Sequence, residues 1–232
     1  MDDFHRLLAQ IGFTAGDDLG LVLVGGYAIA EYRLTDRPSR DVDFATASPL
    51  PLPQITDRLA EAYRAAGFEV TVVESTPRMA RMEVQDQNQV CEVDLLKEAA
   101  GPPARLSVGP ALAIEDAIGL KMRALHDRTT HRDFIDVRAA AAAGYSVQDL
   151  ERFGRRHTPD FAVTDLADRL GAVADLNDRG FAAYGLDDET TTELCSWAAG
   201  WEANLRARQD FDPGTQPASP EPDWDAYHDE TS

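Results

Sequence analysis

The sequence has no uninterrupted apolar segment of about 18 residues, which is roughly the length that a membrane-spanning helix requires. Its first residues, Met1 to His5, lack the basic flank and the apolar stretch of a secretory signal peptide. Cys91 and Cys195 are the only cysteines, and Cys91 lies in an apolar segment that suits a small buried side chain better than a disulfide partner. From these absences we expect a cytoplasmic protein that does not contact a membrane.

Several common catalytic and metal-binding signatures are also missing. The sequence contains no GxxxxGK[ST] loop, no CxxC pair and no Ser-His-Asp arrangement. The five histidines do not show the spacing of metal ligands, and His126 and His131 are five residues apart. Any catalytic or binding role must therefore rest on other residues.

Basic residues are scarce: 22 Lys and Arg stand against 41 Asp and Glu, which gives a net charge of -19. This charge disfavours wide, non-specific binding to polyanions. The charge is uneven, however, because residues 209–232 carry seven acids and no Lys or Arg, whereas residues 121–157 carry eight Lys/Arg and five Asp/Glu. The second segment is therefore net +3, and a local basic face of this kind can hold phosphates on an acidic protein.

The length of 232 residues and the 44% hydrophobic content allow one sizeable domain or two small ones. Up to about residue 105 strands and helices alternate, and beyond it five segments have helical periodicity. We predict an α/β (α+β) fold, in which a mixed sheet with flanking helices forms a module of residues 1–105. A helical module, 106–209, and an acidic, proline-rich tail, 210–232, which we expect to be disordered, follow it.

The hydrophobic periods and the turn residues give the individual elements. Gly12 is predicted to end the first helix, and the polar run from Gln85 to Gln89 is predicted to connect a hairpin. The predicted strands are 19–24, 41–45, 68–73, 78–84 and 90–96, and the predicted helices are 3–12, 27–33, 55–66, 114–125, 133–143, 147–156, 165–176 and 190–209.

The most informative part of the sequence is an apolar strand that runs into Gly25-Gly26 and a short helix, followed by a strand with Asp41 and Asp43. Strand side chains alternate faces, so the two carboxylates point the same way. Such a pair beside a glycine turn and a helix N-terminus suits a divalent metal and a nucleoside triphosphate, because Mg²⁺ takes few carboxylates and shares its remaining positions with phosphates. The alternative is an ordinary strand–helix turn with solvated aspartates.

Asp94 is a third candidate, since the segment Val90-Cys-Glu-Val-Asp-Leu-Leu is apolar enough for a central strand. A carboxylate inside such a strand is costly unless it is paired or bound to a metal. Asp94 would then complete the metal site or take a proton from an attacking hydroxyl. The alternative is an edge strand on which Glu92 and Asp94 face water.

The stretch from Lys121 to Asp136 contains candidate functional residues together with residues that are typical of helix ends and helix ion pairs. Lys121 and Arg128 are seven residues apart and share a helix face. Thr130 with Asp133 could instead form a capping box variant, and Arg132 with Asp136 an i,i+4 ion pair. The pattern alone favours these local interpretations.

Together these motifs resemble the polymerase-β-like nucleotidyltransferase superfamily, in which a glycine turn and an Asp-x-Asp pair are followed by a third aspartate on a later strand. The stretch from Lys121 to Asp136 is similar to the AbiEii/AbiGii-type toxins of abortive-infection and toxin–antitoxin systems. The resemblance covers roughly residues 20–145. It rests on Val24-Gly25-Gly26-Tyr27-Ala28, Arg40-Asp41-Val42-Asp43, Glu92-Val93-Asp94-Leu95 and Lys121-x-x-Ala124-Leu125-x-x-Arg128-x-x-x-Arg132-Asp133-x-x-Asp136.

The resemblance implies roles for individual residues. It implies catalytic roles for Asp41, Asp43, Asp94 and Lys121, metal binding by Asp41, Asp43 and Asp94, and nucleotide binding by Gly25, Gly26, Arg40, Lys121, Asp133 and Asp136. One position departs from the pattern. Many superfamily members have a serine after the first glycine, and its hydroxyl touches phosphate, whereas Gly26 can offer only its backbone N–H.

The function implied by the resemblance is a Mg²⁺-dependent nucleotidyltransferase, with Mn²⁺ as an alternative ion. It would transfer a nucleoside monophosphate from an NTP to a hydroxyl acceptor, for which a tRNA 3′ end is the first candidate and residues 121–157 the expected contact. A cognate antitoxin would be its protein partner. Two alternatives stay open: an aminoglycoside-type antibiotic nucleotidyltransferase, which the acidic charge suits, and a nucleotide-binding protein without turnover.

Overall fold

The computed structural model describes residues 1–98, 101–158 and 160–210. The predicted tail therefore lies outside the described residues, apart from Asp210, which ends the last helix. The strands are β1 (Val22–Leu23), β2 (Asp41–Thr46), β3 (Glu69–Ser75), β4 (Met79–Gln85), β5 (Val90–Lys97), β6 (Ala104–Arg105) and β7 (Pro110–Ala111). The helices are α1 (Asp3–Ala15), α2 (Gly25–Glu31), α3 (Leu52–Ala65), α4 (Ile114–Asp127), α5 (His131–Ala142), α6 (Val147–His157), α7 (Val163–Gly171), α8 (Asp178–Ala182) and α9 (Asp188–Asp210), with a 3-10 helix at Ala172–Asp175.

The seven strands of the described residues join one mixed sheet in the order β3-β4-β5-β2-β1-β7-β6. β2 and β5 are parallel neighbours, and their register places Asp43 directly beside Asp94. β1 is antiparallel to β2 and parallel to β7. The sheet therefore continues past residue 105, through β7, before the helical part of the chain begins.

The two faces of the sheet bury different apolar clusters. Val42 and Phe44 of β2 are fully buried against α1 and α3. Ala45 points the other way, into a cluster that α2 and α4 to α9 complete. Because Asp41 and Asp43 alternate in phase with Ala45, their carboxylates lie on the face that the later helices cover.

Helix limits follow local capping and packing. α6 begins with a complete capping box, in which Ser146 Oγ accepts from the backbone N–H of Asp149 and the Asp149 carboxylate accepts from the backbone N–H of Ser146. The prediction that Gly12 ends α1 is wrong, since the helix continues to Ala15. Gly12 is instead a packing position, because a Cβ there would lie 2.7 Å from the ring of Phe44.

The prediction of a mixed sheet with flanking helices agrees with the structure. The strand predicted at 19–24 is shorter, and β6, β7 and α8 were not predicted. The division into modules at residue 105 stays a proposal. None of the helices in the described residues combines the length and the apolar composition of a membrane-spanning segment.

Candidate active site

A cavity of about 320 Å³ lies between the carboxylate face of the sheet and helices α4 and α5. Its lining combines the glycine turn, the two β2 carboxylates and several cationic side chains. The residues concerned are Gly25, Gly26, Asp41, Asp43, Arg37, Lys121, Arg123, Arg128 and Arg132. Five of the nine residues for which a site role was predicted therefore meet at one place, namely both glycines, both β2 aspartates and Lys121.

The glycine turn is packed directly against the aspartates. Gly25 has φ +65°, and a Cβ on it would lie 1.8 Å from Oδ2 of Asp43. A Cβ on Gly26 would lie 2.4 Å from Oγ of Ser39. The backbone N–H of Val24 donates to the carbonyl of Asp43 at 2.9 Å, which ties the start of α2 to β2. Gly25 is therefore required for steric reasons, and a side chain at position 26 would need Ser39 to move.

Asp41 already has two polar partners. Ser39 Oγ donates to its Oδ1 at 2.8 Å, and Arg132 Nη1 donates to its Oδ2 at 3.2 Å. Burial acts to raise the pKa of Asp41, but the hydrogen bond from Ser39 and the positive charge of Arg132 outweigh it and hold the pKa below its usual value. Asp41 is therefore ionised, and it faces the cavity as a fixed negative charge.

Asp43 lies deeper and forms no ion pair with any described residue. Burial raises its pKa to about 7, and the neighbouring charges of Asp41 and Asp94 act in the same direction, against Lys121 and Arg132. Two carboxylates on one strand face, one of them uncompensated, fit a divalent cation. Within the described residues, however, no group of three or more His, Cys, Asp or Glu side chains is arranged to hold a metal.

Asp94 lies beside Asp43 on an interior strand and is buried, so the solvent-facing alternative is wrong. Both of its carboxylate oxygens accept hydrogen bonds from Arg81 of β4, from Nε and Nη2, each at 2.7 Å. Asp94 is not among the residues that line the cavity. The structure thus places Asp94 next to the β2 pair, but with its carboxylate held by an arginine.

Lys121 of α4 is buried and faces the cavity, and its Nζ lies 2.9 Å from Oδ2 of Asp136. Asp136 also accepts two hydrogen bonds of 2.6 Å from Arg37, through Nε and Nη2. Burial acts to raise the pKa of Asp136, but Lys121 and Arg37 outweigh it and hold the pKa below its usual value. Asp136 does not line the cavity; it holds two cations that do.

Two other predicted nucleotide-binding residues are not brought to the cavity. Arg40 is exposed and is absent from the lining. Asp133 is fully buried, and its Oδ2 accepts from Arg128 Nε at 2.9 Å and from the hydroxyl of Thr130. Thr130 makes no side-chain capping bond to the backbone, so the capping box variant is wrong.

The structure adds three residues at the site to which the sequence pattern gave no role: Arg37 and Arg132 line the cavity, and Ser39 hydrogen-bonds Asp41. Arg132 bonds Asp41 instead of forming the suggested i,i+4 pair with Asp136. Arg37 and Ser39 lie on the loop before β2, where no hydrophobic period exists to show which side chains turn inward. The spacing Arg37-x-Ser39-x-Asp41 was the available signal, since alternate residues of an extended segment share a face.

A mixed sheet that carries a glycine turn and paired carboxylates beside a cation-lined cavity is the arrangement of a nucleotidyltransferase. The sequence model of the family described as nucleotidyl transferase AbiEii toxin, type IV TA system, matches residues 6–230. The chain belongs to this family and is a nucleotidyltransferase of the toxin–antitoxin type. The resemblance inferred from the motifs is confirmed.

Solved structures with low sequence identity share the fold. JHP933 from Helicobacter pylori is 20% identical, with 90% of this chain and 94% of that chain covered and a TM-score of 0.53. A putative nucleotidyltransferase from H. pylori is 18% identical, with 90% and 99% covered and a TM-score of 0.53. MenT4, a nucleotidyltransferase toxin from Mycobacterium tuberculosis H37Rv, is 16% identical, with 90% and 86% covered and a TM-score of 0.58. No curated protein sequence matches the chain.

Proposed function

We propose that this nucleotidyltransferase transfers a nucleoside monophosphate from an NTP to the 3′ end of a tRNA and releases pyrophosphate. Mg²⁺ is the proposed metal, and Mn²⁺ the proposed substitute. The proposed setting is the cytoplasm, where NTPs and tRNA are present, and a cognate antitoxin is the proposed protein partner.

The observation that carries the proposal is the convergence of the glycine turn, both β2 carboxylates and Lys121 on one cavity. A triphosphate with its metal needs backbone N–H groups and cations for the phosphate oxygens, and carboxylates for the metal. Each of these groups lines the same space. An acidic protein with cations concentrated at this place is suited to bind NTP there and to bind polyanions weakly elsewhere.

In this proposal Asp41 and Asp43 hold the metal, and Gly25 and Gly26 present N–H groups to the phosphates. When bound, Mg²⁺ supplies positive charge between carboxylates and phosphates. Lys121 neutralises further phosphate charge, and phosphoryl transfer depends mainly on such positioning and electrostatic stabilisation.

Asp94 is proposed as the carboxylate that takes the proton from the attacking hydroxyl. Its oxygens accept hydrogen bonds from Arg81, so this role requires Arg81 to release at least one of them. Asp136 is proposed to act through Lys121 and Arg37, which it holds at the cavity wall.

The test is incubation of the protein with each of the four NTPs, labelled at the α-phosphate, together with Mg²⁺ and total tRNA, followed by a denaturing gel. We expect label on tRNA from at least one NTP and no label with Asp43→Asn. Because Asp43 is buried beside two other carboxylates, its neutral replacement should leave the melting temperature unchanged or higher. Asp57→Asn, at an exposed position on α3, is the control and should label tRNA as the wild type does.

Wild-type labelling by Asp43→Asn would contradict the metal site. Parallel reactions with an aminoglycoside in place of tRNA address the acceptor. Transfer to the drug without transfer to tRNA at low salt would replace the tRNA proposal with the antibiotic alternative. NTP binding without transfer to any acceptor would favour a binding protein without turnover.

A further inference from the structure

Ser39 lies between the glycine turn, Gly25 and Gly26, and the carboxylate of Asp41. It lies on the loop before β2 and is buried, with 8% of its surface exposed. Its hydroxyl donates to Oδ1 of Asp41 at 2.8 Å. The same oxygen would lie 2.4 Å from a Cβ on Gly26, so the Ser39 side chain fills the gap between the glycine turn and the first carboxylate.

The backbone of Ser39 is fixed from the opposite side. Tyr27 of α2 is buried, and its hydroxyl donates to the carbonyl of Ser39 at 3.1 Å. The Tyr27 hydroxyl also contacts Nδ1 of His5 on α1, with the two rings packed edge to face. The backbone of Ser39 is therefore tied directly to α2 and, through Tyr27, to α1.

Within the described residues, Ser39 supplies the shorter of the two hydrogen bonds that hold the Asp41 carboxylate. Among the described residues, the other hydrogen-bond donor to the Asp41 carboxylate is Arg132, whose side chain is about one-third exposed and reaches in from α5. A carboxylate that kept only Arg132 would be held by one donor on a partly exposed side chain. With Ser39 in place, Oδ1 is held against the loop, and Oδ2 is the oxygen that accepts from the cavity-lining Arg132, which would have to release it to a cation.

We propose that Ser39 is a positioning residue for Asp41, and that its hydroxyl holds the carboxylate in the orientation that binds a divalent cation. The inference rests on the proposed function, because it takes Asp41 as a metal ligand. Residues that orient metal ligands through hydrogen bonds usually contribute 10- to 100-fold, roughly, to metal affinity. The loss of the Ser39 hydroxyl should therefore weaken metal binding without unfolding the protein.

The test measures the affinity for Mn²⁺ alone, by calorimetry without nucleotide, together with the melting temperature. We expect Ser39→Ala to bind Mn²⁺ about 10- to 100-fold more weakly than wild type, with a melting temperature close to wild type. Ser146→Ala is the matched control, since Ser146 also donates its hydroxyl to a carboxylate, that of Asp149, but at the start of α6. This control should melt at a lower temperature and bind Mn²⁺ as wild type does.

Asp43→Asn separates the failure of this inference from the failure of the proposed function. If wild type and Asp43→Asn bind Mn²⁺ equally, the proposed metal site is wrong, and the proposed role of Ser39 is then wrong as well. If Asp43→Asn loses Mn²⁺ but Ser39→Ala binds as wild type does, only the Ser39 inference is overturned. Should Ser39→Ala unfold, Ser39→Cys carries the same test, because it fills the space with a much weaker donor, and wild-type affinity in that variant overturns the inference.

Discussion

At the scale of single residues, Asp136 balances the charge of two cationic side chains that line the cavity. It is fully buried, and it is the acidic partner of both Arg37 and Lys121. Removal of one member of a buried ion pair leaves an uncompensated charge, which typically costs about 3–5 kcal/mol. We expect Asp136→Asn to lower the free energy of unfolding by about that amount, as measured by urea denaturation at pH 7. Asp168→Asn, which removes an exposed ion pair with Arg206, should cost less than about 1 kcal/mol.

The contribution of Asp136 should depend on pH in a defined direction. Its pKa in the folded protein is held below the ordinary value of 3.8, so folding favours the ionised form. The stabilisation is therefore present above about pH 3.8 and is lost as the pH falls below it, toward the folded-state pKa. The difference in unfolding free energy between wild type and Asp136→Asn should shrink over that range, and a difference that stays constant down to pH 2.5 would contradict the ion-pair explanation.

The candidate site was predictable to the extent that its residues follow a local rule. Asp41 and Asp43 share a strand face, and the glycine turn follows an apolar strand, so these four positions could be read from spacing. The role of Asp136 could not, because its partner Arg37 is 99 positions away in the chain. The local ion pair suggested for Arg132 failed for the same reason, since its partner Asp41 is 91 positions away.

At the scale of elements, the turn between β1 and α2 determines how closely the backbone of Gly25 approaches the carboxylate of Asp43. Gly25→Ala would suffer both the positive φ of +65° and a Cβ placed 1.8 Å from Oδ2 of Asp43. Gly20 has a similar φ of +61° but no atom within 4 Å of its Cβ position, so Gly20→Ala isolates the backbone strain. We expect Gly20→Ala to cost about 1–2 kcal/mol of stability and to keep Mn²⁺ affinity. Gly25→Ala should cost more and should also weaken Mn²⁺ binding, and equal behaviour of the two variants would contradict the steric role of Gly25.

Helices long enough to show a hydrophobic period could be predicted from the sequence, whereas very short strands and helices could not. The long helices α4 to α6 bury one face, and their bounds lie within two residues of the prediction. β6 and β7 are two residues long and α8 is five, which is too short for a period to be seen. Gly12 was misjudged because a glycine inside a helix and a glycine at its end look alike in sequence, and only the contact with Phe44 distinguishes them.

At the scale of the whole molecule, the division at residue 105 can be tested as a folding question. β1 pairs with β7, and Val22, Val24, Ala28 and Ile29 are buried in the cluster that the later helices complete. A fragment of residues 1–105 would expose this apolar surface to water. We expect the fragment to lack a cooperative thermal transition and to bind a hydrophobic dye, whereas the full chain melts cooperatively. A cooperatively folded, monomeric fragment would establish residues 1–105 as an independent domain.

The distribution of charge over the molecule bears on the acceptor. The segment 121–157 is net +3, but within the described residues several of its arginines are paired with acids. Arg155 lies over the ring of Phe161, and Arg156 pairs with Glu115 at 2.7 Å. RNA bound here would have to compete with these partners. Binding of tRNA to this segment should therefore be modest in strength and sensitive to salt.

Arg155 and Arg156 lie at the C-terminal end of α6, where their replacement tests this segment as an RNA contact. Removal of one phosphate-binding side chain should reduce the salt dependence of RNA binding by roughly 0.7 to 0.9 in the slope of log K against log salt. We expect Arg155→Glu with Arg156→Glu to impair tRNA labelling and flatten that slope, while Mn²⁺·NTP binding stays as in wild type. Arg58→Glu with Arg64→Glu on α3 makes the same change in net charge on the opposite face of the sheet, and should label tRNA as wild type does. Equal loss in both double variants would mean that only net charge matters, and loss in neither would place the acceptor elsewhere.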